Sequence, residues 1–257
     1  AAGLSHIPVL ETLDEAGLRP EAIAGTSMGA ILDACYASGL SGAQIRAHTL
    51  DLLSDIPALG KRMVRGAKWA DLGLGLFLDP EHILRCVLPE DVPERIEDLA
   101  IPFTAIATDF YLQKEIRFTE GPLRPALAAS MAIPGVFRPV AVDGRVHVDG
   151  GVCNVLPIEA LPRDCPVIAV DTVTYPLDRE STDIPSPMMA SLGAMRIMMR
   201  ALLERQLDDR KPFALLRPPC SKFAALDFMR AEDILEAADP IREDTREAIA
   251  GLRTDGK

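Results

Sequence analysis

Residues 25–29 read Gly-Thr-Ser-Met-Gly, a G-x-S-x-G pentapeptide, and its flanks narrow the fold more than the five letters do. Ala22-Ile23-Ala24 ahead of it is a short apolar run suited to a buried strand. Residues 30–38 behind it carry a helical pattern, and Gly39 is a natural stop. A strand, a sharp turn holding a serine, and a helix form the setting of a nucleophile elbow. On such a turn the Ser27 hydroxyl is pushed clear of regular structure. Gly25 and Gly29 let the turn close and let the helix pack near the strand. The Met28 N–H opens the helix and points at the same small space, where it can help hold an oxyanion. Small residues around a serine are common, so a structural turn with an unreactive serine stays open on this stretch alone.

The 257 residues are enough for one large α/β domain or two small ones. No internal repeat and no linker interrupts them, so residues 1–257 read as a single domain. No apolar run reaches the length that spans a bilayer. A net charge of −11 argues against nucleic acid as a partner and against electrostatic attachment to anionic lipid. It leaves room for transient membrane-surface contact through an apolar rim. Five cysteines, with no C-x-x-C pair, suit free thiols in a reducing compartment. The expected location is therefore the cytoplasm, peripheral to a membrane.

Residues 3–17 have a helical repeat at Leu4, Ile7, Leu10 and Leu13, with Ser5 as cap and Gly17 as stop. Residues 41–53 are a second amphipathic segment. Residues 54–79 are Gly-rich, with basic and apolar side chains and Trp69. They read as a partly buried excursion in preference to a mobile cover that meets lipid. Asp79-Pro80-Glu81 opens another helix. Residues 102–109 form a buried strand, and residues 113–119 alternate as a paired one. Residues 124–131 form a small-residue helix. Asp143-Gly144 is a hairpin signal between strands 138–142 and 145–149. Residues 166–172 suit a strand in a parallel sheet covered on both faces. Residues 175–187 are a polar loop, and residues 188–207 a long helix with a methionine stripe that reads as core rather than as a contact for a partner or acyl chain. Residues 213–216 are a last short strand, and residues 227–249 a helical acidic tail.

A serine nucleophile needs a proton acceptor. The four histidines are His6, His48, His82 and His147. None follows His147, so the serine–acid–histidine order of α/β-hydrolases fails. The conspicuous acid is Asp149, where the alternating run Val146-His147-Val148 stops at Gly150-Gly151. The two glycines allow another backbone or a substrate to approach the carboxylate. A Ser27–Asp149 dyad needs burial to raise the basicity of Asp149 and oxyanion donors to carry much of the catalysis. Strand period puts His147 on the same face as Asp149. It is then either a base, an orienting group or, more ordinarily, a packed histidine. The other three lie in helical segments without a partner motif.

Three blocks in order carry a resemblance to the patatin-like phospholipases: Gly25 through Gly29, the run Ala129-Ser130-Met131-Ala132-Ile133-Pro134-Gly135-Val136-Phe137-Arg138-Pro139-Val140, and Asp149-Gly150-Gly151 with Val152-Cys153-Asn154-Val155-Leu156-Pro157 after it. Ile106-Ala107-Thr108-Asp109 and the long helix after Asp171 also resemble the compact bacterial members. The resemblance implies a three-layer α/β/α sandwich with a mostly parallel central sheet and hydrolysis of fatty acyl esters of phospholipids or lysophospholipids. It implies Ser27 as nucleophile, Asp149 as base, and residues 130–137 shaping the site. The family opens with a strand and a Gly-rich loop that supplies oxyanion donors. Gly3 matches the last glycine of that loop, and Ala2 stands where a basic residue is usual. The strand and the earlier glycines are missing before residue 1, either removed from this chain or lacking in this copy. Asp and His residues show no metal-ligand spacing, so no metal or other cofactor is expected. The departure at Ala2 keeps a second reading open, a catalytically weak domain of this type that binds a protein or lipid and regulates it.

Overall fold

The computed structural model describes residues 2–54, 78–173, 182–220, 223 and 230–255. A 3-10 turn, Ala2–Ser5, runs into helix α1, His6–Glu15. Ser5 is not the cap the sequence suggests. Its backbone is helical, and its hydroxyl donates back to the Ala2 carbonyl at 2.7 Å. The end does fall where expected, with Gly17 at φ 65°, a conformation in which a side chain is strained. Strand β1, Ile23–Thr26, then feeds helix α2, Met28–Ala37. Every residue of α2 from Gly29 to Ala37 is buried, the Asp33 carboxyl included. Helices α3, Gly42–Ser54, and α4, Pro80–Val87, follow. Asp79 caps α4 by accepting the N–H groups of Glu81 and His82 at 3.0 and 3.3 Å. The excursion read at residues 54–79 falls almost wholly outside the described residues.

Strand β2, Phe103–Asp109, is buried along its whole length and organises the sheet. One of its edges takes β3, Lys114–Phe118, antiparallel. The other edge is shared end to end. Strand β1 runs parallel along the first part, with Ile23 opposite Phe103 and Thr26 opposite Ile106. Strand β5, Arg145–Asp149, runs antiparallel along the rest, with Asp149 opposite Ala107 and His147 opposite Asp109. Strand β4, Val140–Val142, completes the sheet through the Asp143-Gly144 turn, where both residues have positive φ (51° and 75°). That is the geometry a two-residue hairpin needs. The central sheet is therefore mixed, and the expectation of a mostly parallel one is corrected. Two tight reversals, after β2 and after β4, return the chain along its own edge instead of through crossover helices. A second, two-stranded sheet pairs β6, Ile168–Val170, parallel with β7, Ala214–Leu216.

Helix α5, Leu123–Ser130, packs on β2, β4 and β5, while α2 packs on β1 and β2. With these helices the sheet makes the α/β sandwich. Its main core runs through α1, α2, α5 and β2, with Ile7, Tyr36, Ala105, Leu123 and Leu127 excluded from solvent. Helix α6, Pro187–Asp209, departs from expectation: among its described side chains only Leu203 is buried. Its methionine stripe is not core. Met188, Met189 and Met198 are exposed. The tail forms α7, Ala231–Ala238, and α8, Ile241–Asp255, and Arg242 ties it back to Glu11 and Glu15 of α1. No disulfide joins the described cysteines.

Candidate active site

The shared edge of β2 decides where the two sequence-marked residues go. Strand β1 ends opposite Ile106 and β5 ends opposite Ala107, so the two strands finish head to head on one edge. The next residue of one chain is Ser27, and the last of the other is Asp149. The Ser27 hydroxyl donates to Asp149 Oδ2 at 2.6 Å. Residues 122 positions apart in the chain thus meet without any histidine between them.

Ser27 sits at φ 57°, ψ −129°, a conformation rare for a residue with a side chain. Such a backbone is worth roughly 1–3 kcal/mol of strain and persists only where surroundings hold it. Here the Ser27 N–H donates to the Ser130 hydroxyl at 2.9 Å, and the Thr26 hydroxyl donates to the Asn154 carbonyl at 3.0 Å. Gly25 passes so close to α2 that a Cβ there would lie 2.7 Å from Ala30 Cα and 2.6 Å from Asp33 Oδ2. Ser130→Ala would strand the Ser27 N–H, and we expect a stability loss of about 1–2 kcal/mol in a thermal melt.

Asp149 is held as tightly. Its N–H donates to the Ala132 carbonyl at 3.0 Å, and its carbonyl accepts the Thr108 hydroxyl at 3.0 Å. Its Oδ1 accepts the Gly151 N–H at 2.7 Å. The residue is 3% exposed. Burial pushes its carboxyl up to about 6, with the Ser27 and Gly151 hydrogen bonds opposing. A direct carboxylate–serine bond therefore coincides with a carboxylate more basic than usual.

Gly3 lies directly against Met28, since a Cβ on Gly3 would fall 2.3 Å from Met28 Cγ. The Met28 N–H is in the first turn of α2, where no helical carbonyl precedes it. Gly3 and Met28, the two residues expected to supply oxyanion donors, thus lie against each other. Gly150 and Gly151 form a 3-10 turn, Gly150–Val152, that carries the chain off the sheet. His147 neither donates to nor accepts from Ser27 or Asp149 among the described residues. It is buried, with its ring edge-on to Phe118 at 5.4 Å between centroids.

Three features behind the elbow were not marked by the sequence as site residues. His6 Nδ1 bonds the Gly3 carbonyl at 2.8 Å, and its Nε2 lies 3.4 Å from where a Cβ on Gly29 would be. Burial lowers the His6 pKa. Asp33 faces Gly25, and burial pushes its carboxyl up to about 8. Burial thus favours its neutral form. Asn154 is buried, accepts from Gln206 at 2.8 Å and donates to Glu115 at 2.6 Å, which ties α6 and β3 to the turn after Asp149.

A mixed α/β sandwich in which an elbow serine bonds directly to a buried aspartate defines a class of fold and site distinct from the Ser–His–Asp hydrolases. A family model described as patatin-like phospholipase matches residues 1–162, a span that includes both Ser27 and Asp149. The chain belongs to the patatin-like phospholipase family. It is 38% identical over 159 residues to an uncharacterized NTE family protein of Mycobacterium tuberculosis, covering 62% of this chain and 42% of that protein. It is 27% identical over 274 residues to patatin-like phospholipase domain-containing protein 7 of Rattus norvegicus, covering 92% of this chain and 19% of that one. VipD from Legionella pneumophila superposes on 96% of this chain and 65% of its own with a TM-score of 0.48 and 13% identity. The chain thus spans less than half the length of these two curated relatives.

Proposed function

We propose that this protein is a serine acyl-ester hydrolase that cleaves fatty acyl esters of phospholipids or lysophospholipids with Ser27 and Asp149. The observation that carries the reading is the 2.6 Å bond from the Ser27 hydroxyl to a buried Asp149 carboxylate. Family membership supports lipid hydrolysis as the general class of activity. In the first step Asp149 Oδ2 takes the hydroxyl proton while Ser27 Oγ attacks the ester carbonyl carbon. The Met28 N–H and the backbone at Gly3 hold the resulting oxyanion. Collapse breaks the bond to the alcohol oxygen, and that oxygen leaves with the proton from Asp149. Water then attacks the acyl-serine, gives its proton to Asp149, and releases the fatty acid as Ser27 regains its own. Met199 packs its Cε against Gly151, and Met188 its Sδ against Gly135. Helix α6 therefore borders the site with unbranched, adaptable side chains suited to an acyl chain.

The test is fluorophosphonate labelling followed by peptide mapping across a pH series. The adduct is expected on Ser27. Because the base must be ionised and its pKa is raised to about 6, the labelling rate should climb about tenfold per pH unit below 6 and level off above it. An adduct elsewhere, or none, overturns the reading.

A further inference from the structure

Beyond Asp109 the β2–β3 turn places three large apolar side chains in solvent: Phe110 is 54%, Tyr111 75% and Leu112 49% exposed. The turn is built rigidly. Asp109 Oδ1 accepts the N–H groups of Tyr111 and Leu112 at 3.1 and 2.7 Å, and its Oδ2 pairs with Arg145. The Phe110 N–H donates to the Val146 carbonyl at 2.9 Å, and the Gln113 N–H closes the turn on the Asp109 carbonyl at 2.9 Å. Phe110 and Tyr111 pack edge to face, 5.2 Å between centroids. Such a tip loses little conformational freedom when it is covered.

We infer that this tip is a lipid-docking element that seats the protein on a phospholipid surface. The inference rests on the lipid-hydrolase reading for its choice of partner. Three observations favour lipid. The first is position: Phe110 lies three strand residues beyond Ala107, the register partner of Asp149, roughly 10 Å along β2. A surface that covers the tip is then within a lipid's length of the site. The second is charge. In a chain of net −11, Lys114 is the only charged residue between Asp109 and Glu115. The Asp109 carboxylate is itself buried and offset by Arg145. Aromatic rings with a neighbouring cation suit the headgroup boundary. The third is area. Three partly exposed side chains offer roughly 350 Å², well short of the about 800 Å² per partner that a stable protein interface buries. A protruding apolar point of that size fits a bilayer, which closes around it on every side.

The test is flotation of the full chain with phosphatidylcholine vesicles, run on the Ser27→Ala background so that hydrolysis cannot remove the lipid. This protein should float, and Tyr111→Asp with Leu112→Asp should lower the bound fraction about tenfold or more. Replacing Phe110, Tyr111 and Leu112 all with serine should do the same without added charge. In the otherwise native chain neither set should change turnover of a small water-soluble ester, and both should keep the native melt. That turnover reports on the hydrolase reading by itself. Vesicle binding without soluble-ester turnover would sink that reading and leave the docking inference standing. Binding retained in both variants would overturn the inference. So would no binding by the parent, or a dimer on sizing that the variants abolish without any vesicle binding.

Discussion

Asp149→Asn should lower ester turnover by about 10³-fold and at the same time make the protein more stable at pH 7. Both effects follow from one placement. Asp149 is the group within 2.6 Å of the Ser27 hydroxyl. An asparagine there cannot take the proton, although its Oδ1 can still accept the Gly151 N–H. The stability effect has a definite sign. The folded carboxyl is raised to about 6, above the unfolded value of about 3.9. Its contribution to folding is therefore full below about pH 4 and is lost as pH rises through 6. At pH 7 the ionised, buried carboxylate costs about 3 kcal/mol, of which asparagine should recover about 1–3 kcal/mol. Thermal melts at pH 4.5 and 7 separate the cases: the variant's gain should shrink at the lower pH. Lost turnover with no gain at pH 7 would mean that Asp149 is not held as a costly base.

Much of this site was legible before any coordinates, and the reason is local. The small residues around Ser27, the Asp143-Gly144 turn and the halt of β5 at Gly150-Gly151 are each conformational demands that a few neighbouring residues settle. The meeting of Ser27 with Asp149 is of another kind. It depends on β1 and β5 dividing a single edge of β2, and pairing between distant strands leaves no mark at either end. The mostly parallel sheet is what the resemblance implies, and the apolar runs at β1, β2 and β6 do pair parallel. The mixed order comes from the reversals after β2 and β4, which bring β3 and β5 in antiparallel. The methionines of α6 show a further limit. Their spacing is that of a core-facing helix, but the helix lies along the rim of the site. A stripe reports that a face is apolar and says nothing of what covers it. Phe110-Tyr111-Leu112 carries no surface pattern as a run of three, since only the turn at Asp109 turns them all outward.

Gly150→Ala is expected to be among the most damaging alanine substitutions at the described glycines, well beyond Gly151→Ala beside it. A Cβ on Gly150 would lie 2.2 Å from the Ile106 carbonyl oxygen and 2.7 Å from its carbon. Both are backbone atoms of the central strand, in the register row where β1 ends. Neither can yield without parting β2 from β1 or pushing the Asp149 turn off the sheet. We expect a loss of about 2–4 kcal/mol in stability and, in the folded fraction, a fall in turnover of about 10²-fold. A displacement near 1 Å is enough to break the alignment of a reacting pair. At Gly151 the nearest atom is Met199 Cε at 2.5 Å, the free end of a flexible side chain, followed by Asp149 Oδ1 at 3.0 Å. Alanine there should fold nearly as the parent does. Its effect should fall on turnover, because the Gly151 N–H that steadies the carboxylate would shift with it. Chemical unfolding and soluble-ester kinetics on the two variants give the contrast directly. Equal stability for both would mean that β1 and β5 do not press on one edge of β2, and the geometry that joins Ser27 to Asp149 would have to be redrawn.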